Sequence, residues 1–125
     1  MTMQLQGLRD SLNVKLNAAL KVLNHADYRA EDLSIHPTLV KCDYVLDEFD
    51  RPMVTVQVEK MYNNTIQVYD FTVQLRNNVY TVLERAHTKD SDDGIPGASG
   101  PIASGREVVE YIVAKVCYFM GLAYR

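Results

Sequence analysis

Asn63-Asn64-Thr65-Ile66-Gln67-Val68-Tyr69-Asp70-Phe71-Thr72-Val73-Gln74-Leu75-Arg76-Asn77-Asn78 is a β-rich run closed at each end by an asparagine pair. Asparagine tolerates the positive φ that two-residue hairpins require, and one strand of about ten residues fits between the pairs. Inside the run the apolar phase slips, from Ile66 and Val68 to Tyr69, Phe71, Val73 and Leu75. The slip predicts either a β-bulge near Tyr69-Asp70 or a strand covered on both faces.

Upstream, Val54, Val56 and Val58 alternate with Thr55, Gln57 and Glu59, the pattern of a strand with one buried face. Before them Val40, Cys42, Tyr44 and Leu46 alternate in the same way, and Asp50-Arg51-Pro52 closes the connection. Downstream, Val79 to Ala86 is less regular, with Tyr80, Val82 and Leu83 apolar. Residues 38–86 therefore predict a four-stranded antiparallel meander.

A helix is predicted on each flank. Over residues 3–24, Leu5, Leu8, Leu12, Leu16, Ala19, Leu20 and Leu23 recur at steps of three and four and line one helical face. Gly7 weakens the first turn, which favours a later start, and Asn24-His25 favours the end. A connector over 26–37 finishes at His36-Pro37. Residues 87–105 hold Gly94, Gly97, Gly100 and Gly105 with Pro96 and Pro101 and read as one long loop. It ends in Ser104-Gly105-Arg106-Glu107, a capping box whose side chains satisfy the first free amides of a helix over 105–122. In that helix Val108, Val109, Ile112, Val113, Val116, Phe119 and Met120 form the main stripe, and Tyr111, Ala114, Tyr118 and Leu122 make much of the remainder apolar. So apolar a helix is buried on more than one side, by the sheet plus another helix or a second subunit. The expected fold is one α+β domain over 1–125, with both helices on one face of the sheet.

Composition excludes classes rather than naming one. The chain has 125 residues, 47% hydrophobic and 23% charged, with a formal charge of −3. That is neither a disordered chain nor a strongly basic nucleic-acid module, and it is long enough to fold without a metal or disulfide. Arg9, Lys15, Lys21 and Arg29 outnumber Asp10 and Asp27 in the first thirty residues. Such a sparse cationic stripe reads as a solvated helix face, and Tyr69, Phe71 and Tyr80 lack the surrounding cations of a base-stacking platform. Nucleic acid is therefore not an expected partner. Met1 to Gln6 has no signal-like apolar run, and Glu110 and Lys115 interrupt the segment Val108 to Tyr124, so the expectation is a soluble, cytoplasmic protein without membrane contact. Cys42 and Cys117 both fall on apolar phases and read as free, buried thiols, although a strand-to-helix disulfide is sterically conceivable.

No catalytic residue, metal ligand set or cofactor is assigned. Asp90, Asp92 and Asp93 do not match the ligand spacing of a calcium loop whether Gly94 or Asp90 sets the frame. Gly97-Ala98-Ser99-Gly100 is one residue short of a nucleophile elbow. His25, His36 and His87 fall in or beside connections, with no triad spacing. Asp43, Asp47, Glu48 and Asp50 read as a solvating group for the first strand and its turn.

Two functional readings follow. The first is a non-enzymatic protein-interaction protein (adaptor, inhibitor or assembly component) that self-associates. Its candidate interface is the tyrosine face of the last helix: Tyr111, Ala114, Tyr118 and Leu122. The second is a binder of a small anionic or nucleotide-like molecule, held by Gly94, Gly97, Gly100, Ser104, Gly105 and Arg106 at a helix amino terminus.

Overall fold

A computed structural model of the chain describes residues 2–21, 36–62, 64–91 and 93–121. Helix α1 (Thr2–Lys21) leads into strands β1 (His36–Leu46), β2 (Pro52–Tyr62), β3 (Thr65–Arg76) and β4 (Val79–Thr88). A short strand β5 (Pro96–Ala98) follows, then helix α2 (Gly105–Phe119). The strands form one sheet in the order β1-β2-β3-β4-β5, every neighbour antiparallel. The α+β class is as expected, with five strands rather than four.

In α1, Leu5, Leu8, Leu12, Leu16 and Leu20 are all buried. The helix runs straight through Gly7 rather than starting after it. A mid-helix glycine costs about 1 kcal/mol, against roughly 1.5–3 kcal/mol gained for each leucine buried on either side of it. The expected end at Asn24-His25 lies outside the described residues.

The turns follow the sequence chemistry. Asn77 and Asn78 have φ of 52° and 61°, two consecutive positive values that make the β3–β4 connection a two-residue hairpin. Asn64 has φ 61° at the β2–β3 turn. Between β1 and β2 the Asp47 carboxylate accepts from the amides of Phe49 (2.8 Å) and Arg51 (2.9 Å) and from the Arg51 guanidinium (3.0 Å). Asp47 thus builds this turn, beyond the solvating role expected of it. The two backbone donors and the guanidinium hold its carboxyl below the usual range, the Arg51 amide contributing most.

β3 contains no bulge. It pairs without a register shift with β2 from Thr65 to Gln74 and with β4 from Gln67 to Arg76. Cover on the second face is local, at Val68, and accounts for the slipped pattern there. Tyr69, Phe71, Val73 and Leu75 face the helices, whereas Val68 points the opposite way and is still only 1% exposed. There Lys89, whose amide bonds the Ile66 carbonyl, sends its ammonium to within 3.5 Å of Glu59, so its stem crosses β3 beside Val68. The one register shift in these ladders lies in β1, between Pro37 and Leu39.

The segment expected to be a structureless loop is instead held against the edge of β4. β4 extends to Thr88, β5 pairs Leu83 with Ala98, Glu84 with Gly97 and Arg85 with Pro96, and Tyr80 and Ile102 exchange two hydrogen bonds of 2.9 Å. Backbone-to-backbone pairing by the exposed residues of β5 leaves no apolar alternation, so the sequence carries no sign of it.

α2 begins as its capping box dictates: Ser104 has extended backbone (φ −134°, ψ 153°) and its hydroxyl accepts from the Glu107 amide at 3.2 Å. It ends at Phe119, before the predicted Leu122, because Gly121 turns left-handed at φ 72° and donates to the Tyr118 carbonyl at 3.0 Å. Val108, Ile112, Val116 and Met120 join the α1 leucines and the inner face of β2, β3 and β4 in one core. α1 lies over β1 and β2 and beside α2, so the sheet and α1 together cover the broad apolar surface of α2. Cys42 and Cys117 are free thiols, half-buried and buried. No described helix is long and apolar enough to cross a membrane.

Candidate functional site

The glycine-loop residues do not converge on one cradle. Gly94 packs so tightly on β4 that a Cβ there would lie 2.2 Å from the Ala86 carbonyl oxygen. Gly97 passes Glu84, where a Cβ would stand 3.4 Å from the side chain, and Gly100 faces open space. The Ser104 hydroxyl is occupied by its capping bond. Gly105 and Arg106 do line a groove of about 520 Å³ between the helices, opposite Gly7, Ser11 and Lys15 of α1. Arg106 is largely exposed there and pairs with Glu110 at 3.3 Å.

The tyrosine face of α2 is divided. Tyr118 is 87% exposed, Ala114 is half-buried, and Leu122 lies outside the described residues. Tyr111 instead turns to the sheet and donates to Glu84 Oε1 at 3.0 Å. Its hydroxyl is thus committed to β4, and its side chain is half-buried.

Two polar clusters have no counterpart among the sequence motifs. The first centres on Glu84, on the inner face of β4 and 13% exposed. Tyr111 donates to one carboxylate oxygen, Tyr69 to the other at 3.1 Å, and the Lys115 ammonium lies 3.5 Å away and over the Tyr111 ring. Burial first, then the Glu84 charge and hydrogen bond, raise the Tyr69 hydroxyl well above its ordinary range. Burial and the Glu84 hydrogen bond do the same to Tyr111. Through this one carboxylate the cluster ties α2 to β3 and β4.

The second cluster lies on the outer face. His87 Nε2 is 2.7 Å from Asp70 Oδ2, and Nδ1 is 2.9 Å from the Thr88 carbonyl. Around this pair stand Arg85 on the same strand and, from the segment folded against it, Asp93, whose carboxylate accepts from the Thr88 amide and hydroxyl. The protonated ring can donate to both acceptors at once, so the two contacts favour the imidazolium over the neutral form. The hydrogen bond to Asp70, then that to Thr88, raises the His87 pKa. The sequence does contain a signal for this pair. Once Asn77-Asn78 is a two-residue turn, the register sets Val68 opposite His87 and Asp70 opposite Arg85, so Asp70 and His87 are diagonal neighbours on one face.

The raised His87 pKa carries a pH dependence. The folded state holds the imidazolium more tightly than the unfolded chain does, so its stabilisation is full below pH 6.5 and disappears as pH rises through the raised folded value. Asp70→Asn should therefore destabilise the protein more on the acid side of that window than on the alkaline side. Urea midpoints for both proteins across the window measure this, and an equal loss on both sides would refute it.

The remaining features concern edges and exposed apolar side chains. The β4 edge is covered by β5 and the Tyr80–Ile102 bridge. β1, eleven residues long, pairs only with β2, and no described strand meets its outer edge. Leu46 and Phe49 are more than half exposed at its end, and Leu83 and Val79 lie partly exposed on the outer face. Among the described residues no group of three or more His, Cys, Asp or Glu could hold a metal ion. None of the known protein families, curated proteins or solved structures matches this chain.

Proposed function

We propose that the protein is a non-enzymatic interaction module that works through protein surfaces as a homo-oligomer, in the manner of an adaptor, inhibitor or assembly component. The observation that carries this reading is the outer edge of β1, which no described strand meets, a long row of backbone donors and acceptors suited to another strand, on a sheet whose opposite edge is covered. The two clusters of ionisable side chains support it, because their members hydrogen-bond one another. Sedimentation equilibrium tests the reading. The expected result is a concentration-dependent oligomer, and a chain that stays monomeric and retains no partner would overturn it.

One observation favours a second reading, capture of a small anion: Lys15 and Arg106 both line the groove between the helices. A nucleotide bound there at a hundred times its dissociation constant adds about 2.7 kcal/mol of stability and raises Tm by several degrees. Arg106→Ala should abolish that shift. No shift with any nucleotide or inorganic phosphate would dispose of this reading.

A further inference from the structure

We propose that two copies of this chain join edge to edge through β1, antiparallel about a two-fold axis passing through Cys42, so that their sheets become one continuous sheet. The inference rests on the homo-oligomeric reading above and specifies its surface and register.

The backbone supplies the attraction and the side chains choose the register. An antiparallel neighbour satisfies the outward amides and carbonyls of β1 with ladder hydrogen bonds. Directly opposed residues in such a pair share a face of the sheet. A two-fold pairing of β1 with itself must therefore be centred on a residue, and the middle of the regular run after the Pro37/Leu39 irregularity offers Lys41, Cys42 or Asp43. Centring on Lys41 sets two ammonium groups opposite each other, and centring on Asp43 sets two carboxylates opposite each other. Centring on Cys42 sets Lys41 opposite the partner's Asp43 and Asp43 opposite the partner's Lys41. Both side chains are on the outer face and free enough to re-pair: Lys41 is 60% exposed, Asp43 is 43% exposed, and they now lie 3.6 Å apart along the strand.

On the inner face the same register sets Val40 opposite the partner's Tyr44. In the single chain both are only partly buried against the core, so the pairing extends the apolar layer across the seam. α1 packs over β1 and β2, so the two copies of α1 come to lie on the same face of the joined sheet, on either side of the seam. Arg9 is close enough to act on the Cys42 thiol, and Asn13 lies one turn further on, hydrogen-bonded to Asn17.

The register also brings Cys42 opposite the partner's Cys42. Directly opposed residues have Cα atoms about 4.5–5.5 Å apart, inside the 4.4–6.8 Å that a disulfide spans. Burial, with the Asp43 charge adding to it, pushes the Cys42 thiol up to about 11. It therefore oxidises slowly in air and serves as a reporter of the register under catalysed oxidation, not as the source of the association.

The test uses the full chain. In reducing buffer, sedimentation equilibrium should give a dimer. Lys41→Asp and Asp43→Lys should each weaken it about tenfold, and the double exchange should restore it, while circular-dichroism melts of all three variants stay close to the parent because both positions are exposed. Oxidation by copper-phenanthroline with dioxygen should produce a covalent dimer on non-reducing electrophoresis. That band should be absent in Cys42→Ser, lost in Lys41→Asp and regained in the double exchange. An oligomer that ignores the charge exchanges and forms no Cys42 cross-link overturns this interface while leaving the homo-oligomeric reading in place. A chain that is monomeric at every concentration overturns both.

Discussion

Phe71→Ala should lower the unfolding free energy by about 3–5 kcal/mol, the range for deleting a fully buried aromatic side chain. Phe71 is 1% exposed and lies mid-sheet, opposite Val56 on β2 and Glu84 on β4. Its ring stacks on Tyr69 at 4.3 Å between centroids, and Tyr69 in turn meets Phe119 of α2 edge-on at 5.2 Å. Truncation would remove the transfer energy of the ring, open a cavity beneath the helices and leave Tyr69 without its stacking partner. A domain of this size is stable by only about 5–15 kcal/mol, so much of that margin would go. Phe71→Leu, which keeps most of the volume, should cost far less. Urea unfolding of the three proteins measures the difference, and a loss below about 1.5 kcal/mol for alanine would mean that the core collapses around the site.

Glu84→Leu is the second large effect, about 2–4 kcal/mol, because it removes the acceptor for three groups at once. The Tyr69 and Tyr111 hydroxyls would lose their partner in a half-buried setting, and the Lys115 ammonium its counter-charge. Glu84→Gln keeps an acceptor and should recover at least half of the loss. The same substitutions should lower the ionisation pH of Tyr69, which the Glu84 charge and hydrogen bond now help to raise. Ultraviolet titration of the tyrosines reads this directly. A Glu84→Gln protein as unstable as Glu84→Leu, or an unchanged tyrosine titration, would show that the hub contributes through packing alone.

Features that depend on near neighbours in the chain are legible in the sequence. The leucine stripe of α1, the alternation in β2, the asparagine turns and the Ser104 cap each repeat or resolve within a few residues, at periods set by helix and strand geometry. The slipped pattern in β3 is also visible there, but its two explanations cannot be separated by sequence. A bulge and cover on the second face produce the same string of residues, and the cover here involves Lys89, more than twenty positions along the chain. The candidate site is less legible. Gly94 and Arg106 belong to one glycine-rich stretch yet take up different positions, one pressed on β4 and the other in the groove between the helices. Tyr111 and Tyr118 share a helical face by spacing, but an acceptor on β4 draws one inward and leaves the other exposed.

Local periodicity and turn chemistry are therefore enough to specify a helix, an antiparallel meander and a capped second helix, because these repeats reflect constraints within single elements. The β5 pairing on β4, the Glu84 hub and the outer edge of β1, unmet by any described strand, arise between elements. Backbone ladders carry no side-chain code, and which polar groups meet depends on how α2 crosses the sheet. The Asp70–His87 contact falls between these cases. Its register is implied by a two-residue turn readable in the chain, while the proton it holds depends on the acceptors that folding brings to both ring nitrogens.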